Sequence, residues 1–171
     1  KRKDIIIFMS KNKVTLETYS VEDTQCFGER LGQWVKESAS PLCMALTGDL
    51  GTGKTHMSQG IAKGLGVSED ITSPTFSLMN TYMTLAGEIY HFDLYRMDDV
   101  SELENIGFYE FTEDQVAIVE WADKFEDELP DETLWIHIDS IDTHSRRITL
   151  ESDVLDAETL NTLGGTYVVG N

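Results

Sequence analysis

The stretch "ALTGDLGTGKTHMSQG", residues 45–60, sets four glycines and a lysine between an apolar run and a helical pattern. Within it, Gly48-x-x-x-x-Gly53-Lys54-Thr55 has the spacing of a phosphate-binding loop in full. Each position has a physical reason. A strand must end abruptly, and glycine lets backbone N–H groups turn inward with no Cβ in the way of an anion. The next helix offers its unpaired first-turn amides and positive dipole end to the same anion. The spacing therefore predicts that the amides of Asp49, Leu50, Gly51, Thr52, Gly53, Lys54 and Thr55 ring a triphosphate. Lys54 would reach the β- and γ-phosphates, and the Thr55 hydroxyl would face Mg²⁺. The flanks agree: "LCMALT" (42–47) follows Pro41 as a continuous apolar run, which suits a strand covered on both faces. "KTHMSQGIAKGL" then puts Met57, Ile61 and Leu65 on one side and is stopped by Gly66.

Outward from the loop, "KVTLETYS" (13–20) alternates as a strand does. Ser20 and Asp23 form a capping box for the helix "VEDTQCFGERLGQWVKES", with Phe27, Leu31, Trp34 and Val35 on one face. From Phe76 to Arg96 the pattern turns to β: "FSLMNTYMT", a turn at "LAGE", then "IYHFDLYR", a hairpin. "DDVSELENIG" reads as a short acidic helix and "VAIVEW" (116–121) as a second buried strand. "TLWIHIDSI" and "RRITLES" read as another antiparallel pair, and the last residues as no more than a helical turn. The expected fold is an α/β, P-loop NTPase-like three-layer sandwich, with a mixed sheet and antiparallel hairpins added to it. The chain divides into an N-terminal extension (1–12), one nucleotide domain (13–151) and a C-terminal tail (152–171).

A nucleotide held by such a loop needs an acid for its metal or for the attacking water. Glu120 ends the apolar strand "VAIVEW", where a parallel sheet opens onto its ligand. Asp93 interrupts an alternating strand, which suits a site residue and a solvent-facing carboxylate equally. Thr75, after the rigid Pro74 of "TSPTF", is equally open between a structural role and a reach toward the γ-phosphate.

Bulk composition narrows the classes. With 171 residues and 40% apolar content, one folded domain with a proper core is expected. Thirty-one acids against 13 bases give a net charge of −18, which disfavours direct binding to nucleic acid or to an anionic membrane. "DIIIFM" is too short for the apolar core of a signal sequence, and no apolar run approaches the roughly 18 residues of a membrane span. Cys26 and Cys43 read as two small buried hydrophobes in a reducing compartment, and the four histidines lack zinc-ligand spacing. A soluble, cytoplasmic protein is expected.

The guanine-reading Asn-Lys-x-Asp set is missing, because "NKVT" at residue 12 fails at its fourth position, so ATP is favoured over GTP. A small-metabolite kinase is the rival enzyme, but such transfer uses several lid arginines, and between Lys54 and Arg146 only Arg96 occurs. A binding module that holds nucleotide without turnover is the third reading.

Taken together, "GDLGTGKT", "SPTFSLMNTY", "YHFDLYR", "ELENIGF" and "IVEWAD" resemble, in order and spacing, the bacterial tRNA threonylcarbamoyladenosine biosynthesis ATPase family, TsaE, formerly YjeE. The resemblance spans roughly Lys13 to Glu151. It implies a cytoplasmic P-loop ATPase that binds ATP and Mg²⁺ and supports the TsaB–TsaD complex, which threonylcarbamoylates tRNA beside the anticodon. Contact with tRNA would be indirect, through that complex, and a negatively charged chain is then tolerable. By the same resemblance Thr55 and Glu120 are the magnesium ligands, and Asp93 and Thr75 stand beside the γ-phosphate. Trp121, Thr24 and Arg147 match positions near the nucleotide. His56 departs from the family, standing where a second threonine is common.

Overall fold

A computed structural model describes residues 12–167, apart from the side chain of Thr166. Its centre is β2 (Leu42–Thr47), the apolar run ahead of the glycine loop, whose last five residues are all buried. It is flanked in parallel by β5 (Val116–Glu120) and β6 (Thr133–Ser140), and β5 carries β4 (Gly87–Asp93) in parallel on its other side. Antiparallel partners finish both edges: β3 (Met79–Thr84) pairs with β4, and β7 (Arg146–Ser152) joins β6 to β1 (Asn12–Thr18). The seven-stranded order is β1-β7-β6-β2-β5-β4-β3. Strand parity sorts the core. Met44, Leu46 and Ile118 face one way, with Phe27, Leu31, Met57 and Ile61, while Cys43, Ala45, Ala117 and Val119 face the other, with Phe92, Leu103 and Phe108.

Helices cover both faces, so this is the expected α/β sandwich with a mixed sheet. On the first face lie α1 (Val21–Ser38) and α2 (Lys54–Gly64). On the second lie the short α3 (Glu102–Asn105) and α4 (Phe108–Glu113). The two long helices approach backbone to backbone through glycines four apart on each. A Cβ at Gly32 would stand 2.1 Å from the Ile61 carbonyl oxygen, and one at Gly64 would stand 2.0 Å from that of Glu29. The amphipathic pattern of α1 shows a buried face but not how close its neighbour comes.

Several local expectations change. The Ser20 hydroxyl caps α1 by accepting from Asp23 N–H at 3.0 Å, but the Asp23 carboxylate returns to Tyr19 N–H rather than to Ser20. β3 starts at Met79, and Phe76 is exposed, because a turn with Leu78 in the left-handed region precedes the strand. Cys43 is buried, its thiol pKa pushed up to about 12 by desolvation, whereas Cys26 is exposed on α1. The last segment holds more than a turn: α5 (Ala157–Gly164), capped by Asp156, buries Leu160 and Leu163 against the first-face core. The expected extension 1–12 lies outside the described residues except for Asn12, which opens β1.

Candidate functional site

The loop between β2 and α2 folds as its glycines allow. Gly48, Gly51 and Gly53 have φ of 146°, 81° and 102°, in the range where a side chain is strained. Gly48 is also crowded, since a Cβ there would lie 2.4 Å from the Ile138 carbonyl oxygen. Thr52 pins the bend by donating its hydroxyl to the Asp49 carbonyl at 2.9 Å, and its side chain is buried. Asp49 and Leu50 are exposed, so only their backbone N–H groups would serve an anion. Lys54 is only 5% exposed. Its ammonium donates to the Gly48 and Asp49 carbonyls at 2.5 and 2.8 Å and lies 4.0 Å from the centre of the Trp121 ring. Burial lowers its pKa, and the carboxylates of Glu120, Asp123, Asp49 and Asp93 oppose that shift.

Two acids stand at the ends of the adjacent parallel strands. Register places Leu46 beside Glu120 and Glu120 beside Asp93, so both carboxylates emerge where β2 runs into the loop. This is the carboxyl edge on which open parallel sheets collect ligands. Glu120 is 2% exposed, and its Oε1 accepts the Thr55 hydroxyl at 3.2 Å. Asp93 is equally withdrawn. Its Oδ2 accepts the hydroxyls of Thr75 and Ser73 at 3.0 and 3.1 Å, and its Oδ1 accepts Tyr95 N–H at 2.9 Å. The solvent-facing alternative for Asp93 is thereby removed, and Thr75 is joined to it. Trp121 follows with φ 57° and leans on Tyr95 at 4.8 Å between ring centres. Lys54, Thr55, Thr75, Asp93, Glu120 and Trp121 together line one cleft of about 350 Å³.

Thr24 and Arg147 part company. Thr24 lies in a smaller cleft on the other side of the loop, with Gly53 and His56, and shares its hydroxyl with Thr18 at 2.7 Å. Arg147 points from the opposite face of the sheet and pairs with Glu17 at 3.4 Å. The arginine at the loop is its neighbour: Arg146 Nε donates to the Thr52 carbonyl at 2.8 Å. Sequence reasoning missed Arg146 because one residue of strand register decides which side chain faces the helices. It also missed His91, whose buried Nε2 lies 2.6 Å from Glu120 Oε2. The signal was there, as a polar residue two before Asp93 shares its side of the strand.

A site of backbone amides, one ammonium and hard oxygen donors suits a polyphosphate with a small divalent cation. Among the described residues no three His, Cys, Asp or Glu side chains group to hold a metal alone. The donors fit Mg²⁺ nonetheless, because that ion takes one or two protein oxygens and completes its shell with phosphate and water. Among the described residues, too, no helix is long and apolar enough to cross a membrane.

Known proteins resemble the chain over most of its length. The model of the family described as threonylcarbamoyl adenosine biosynthesis protein TsaE matches residues 18–148. A tRNA threonylcarbamoyladenosine biosynthesis protein TsaE from Bacillus subtilis is 37% identical over 133 residues, covering 77% of this chain and 81% of the relative. One of the same name from Treponema pallidum is 35% identical, covering 77% of this chain and 95% of the relative. The crystal structure of Bacillus subtilis YdiB superposes with a TM-score of 0.65 at 30% identity, over 83% of this chain and 86% of that one. With a family model spanning most of its length, and a P-loop NTPase-like fold to match, the chain belongs to the TsaE family of threonylcarbamoyladenosine biosynthesis proteins.

Proposed function

We propose that the chain is a cytoplasmic ATPase whose nucleotide cycle serves the TsaB–TsaD complex in threonylcarbamoyladenosine modification of tRNA, without reading the RNA itself. The observation that carries the ATPase reading is the single cleft bringing the glycine loop, Lys54 and Thr55 against Glu120 and Asp93, and family membership supports the link to tRNA modification. In this reading the amides of residues 49–55 and Lys54 hold the triphosphate, and Trp121 walls it in. Lys54 exchanges its two carbonyl partners for phosphate oxygens. Thr55 and Glu120 would hold Mg²⁺, which would supply charge neutralisation at the γ-phosphoryl group. Asp93, braced by Thr75, Ser73 and Tyr95, aims an acceptor oxygen at the water that attacks the γ-phosphorus while the bond to ADP breaks. Thr24 and Arg146 border the loop on the side away from these acids and suit the nucleoside end.

The kinase rival is disfavoured by the scarcity of arginines: Arg96 is the only one between the loop and β7, and it lies 4.3 Å over the exposed Phe76 ring. Calorimetry and phosphate release separate the remaining readings. Lys54→Ala should weaken ATP binding roughly a hundredfold or more, because a buried charge partner is lost. Glu120→Ala should keep ATP but lose turnover. Undiminished hydrolysis by Glu120→Ala, or a phosphorylated metabolite in place of free phosphate, would overturn the proposal, as would turnover indifferent to added TsaB–TsaD.

A further inference from the structure

His91 is fully buried on β4, two residues before Asp93, and neither the loop nor the acids explain why an imidazole is there. Strand parity turns it toward α2, together with Asp93, and its pairing partner on β5 is Ile118, two before Glu120. Its Nε2 lies 2.6 Å from Glu120 Oε2, with both side chains at most 2% exposed. Its other nitrogen, Nδ1, is buried with no hydrogen-bond partner. An N–H at Nε2 is satisfied by the carboxylate oxygen, whereas one at Nδ1 would be buried unpaired, so the geometry favours Nε2 as the donor to Glu120.

That single bond divides the work of the carboxylate. Oε2 is tied to His91 and Oε1 to the hydroxyl of Thr55 at 3.2 Å. A free carboxylate would swing about its last torsion, which is broad and roughly two-fold. Anchored at one oxygen, Glu120 presents the other in a fixed direction, toward the first turn of α2. Ligating carboxylates elsewhere are held in the same manner by partners that never touch the ion. We propose that His91 is the positioning residue that fixes Glu120, so that Oε1 alone is presented to the cation and its water. The inference rests on the reading of Glu120 as a magnesium-managing acid in an ATPase.

Two substitutions test it in the full-length chain. His91→Leu fills the space without a donor, and His91→Gln carries an N–H near the position of Nε2. Three measurements are compared with wild type: ATP affinity in EDTA, the Mg²⁺ concentration for half-maximal tightening of ATP binding, and kcat. His91→Leu should leave affinity in EDTA within about threefold while raising the Mg²⁺ requirement and lowering kcat by about 10- to 100-fold. His91→Gln should recover most of both losses. A histidine-labelled ¹⁵N spectrum should show the Nε2-protonated form in wild type. Wild-type Mg²⁺ requirement in His91→Leu would overturn the positioning role. So would equal impairment of the two variants with matching losses of thermal stability, which marks a packing defect. A wild-type protein that binds no ATP is a different failure, that of the ATPase reading itself.

Discussion

At the residue scale, neighbouring arginines on β7 make opposite predictions although either could have been chosen from sequence. Arg147 and Glu17 form a pair on the sheet face opposite α1 and α2, with the arginine side chain 53% exposed. Exposed pairs contribute about 0–1 kcal/mol, and this one touches nothing that binds nucleotide. Arg146 instead fastens the Thr52 carbonyl from the side, while its Nη1 holds the carbonyls of Asp142 and Ser145, both at 2.9 Å. A hydrogen bond to a charged group contributes about 1.5–3 kcal/mol, and here it holds a peptide of the glycine loop. Arg146→Ala should therefore weaken ATP binding roughly tenfold, and Arg147→Ala less than twofold, by calorimetry. Equal effects would mean that Arg146 braces only its own β6–β7 turn.

At the scale of elements, the glycine pairs of α1 and α2 are as consequential as the glycines of the loop. Because Gly28 and Gly32 face Gly60 and Gly64, α2 lies against α1 with no side chain between them at those points, and the first turn of α2 is Lys54 and Thr55. An alanine in an unstrained helix position ordinarily stabilises by about 0.4–1 kcal/mol. Here the sign should reverse, since the intruding methyl meets a carbonyl oxygen that cannot move without displacing a helix. Gly64→Ala should cost about 1–3 kcal/mol, or a Tm fall of about 2–12 °C, with the exposed Gln33→Ala as the neutral control. An unchanged melting curve would show that the helices part at little cost. This contact was legible in principle, as G-x-x-x-G on both helices flanking β2, yet helical periodicity draws the eye to apolar faces. β2 and β5 were legible because strands covered on both faces must be apolar throughout. α4 and α5 were not: α4 is a single six-residue run, FYEFTE, and the apolar residues of α5 find their partners on β1 and α1, far away in sequence. In the site, the loop and Glu120 could be read because chemistry fixes their spacing. Arg146 and the bond between His91 and Glu120 depend on register, which pairing sets and sequence alone does not.

For the whole molecule the governing quantity is charge. The net value of −18 does not stop at the cleft: Lys54 and Arg146 beside the loop are met by Asp49, Asp93, Glu120 and Asp123. In the proposed ATPase, affinity for a polyphosphate would then come from short-range contacts, the loop amides above all, while the long-range field would repel the ligand before it arrives. Repulsion of that kind acts on encounter and is screened by salt, because the Debye length shrinks from about 30 Å at 0.01 M to about 8 Å at 0.15 M. The short-range contacts are far less sensitive, being partly buried. Most nucleotide sites, with a basic approach, lose association rate as salt is added. Here the association rate of Mg-ATP, followed by stopped-flow fluorescence of Trp121 against Lys54, should rise about two- to fivefold between 0.01 and 0.15 M salt, with dissociation nearly constant. A rate that falls over that range would mean that the positive end of α2 and its lysine dominate the field at the mouth of the cleft. The same acid excess would favour a basic docking surface on a protein partner and disfavour direct contact with tRNA, so a rate that rises with salt would agree with an RNA-modifying role exercised through other chains.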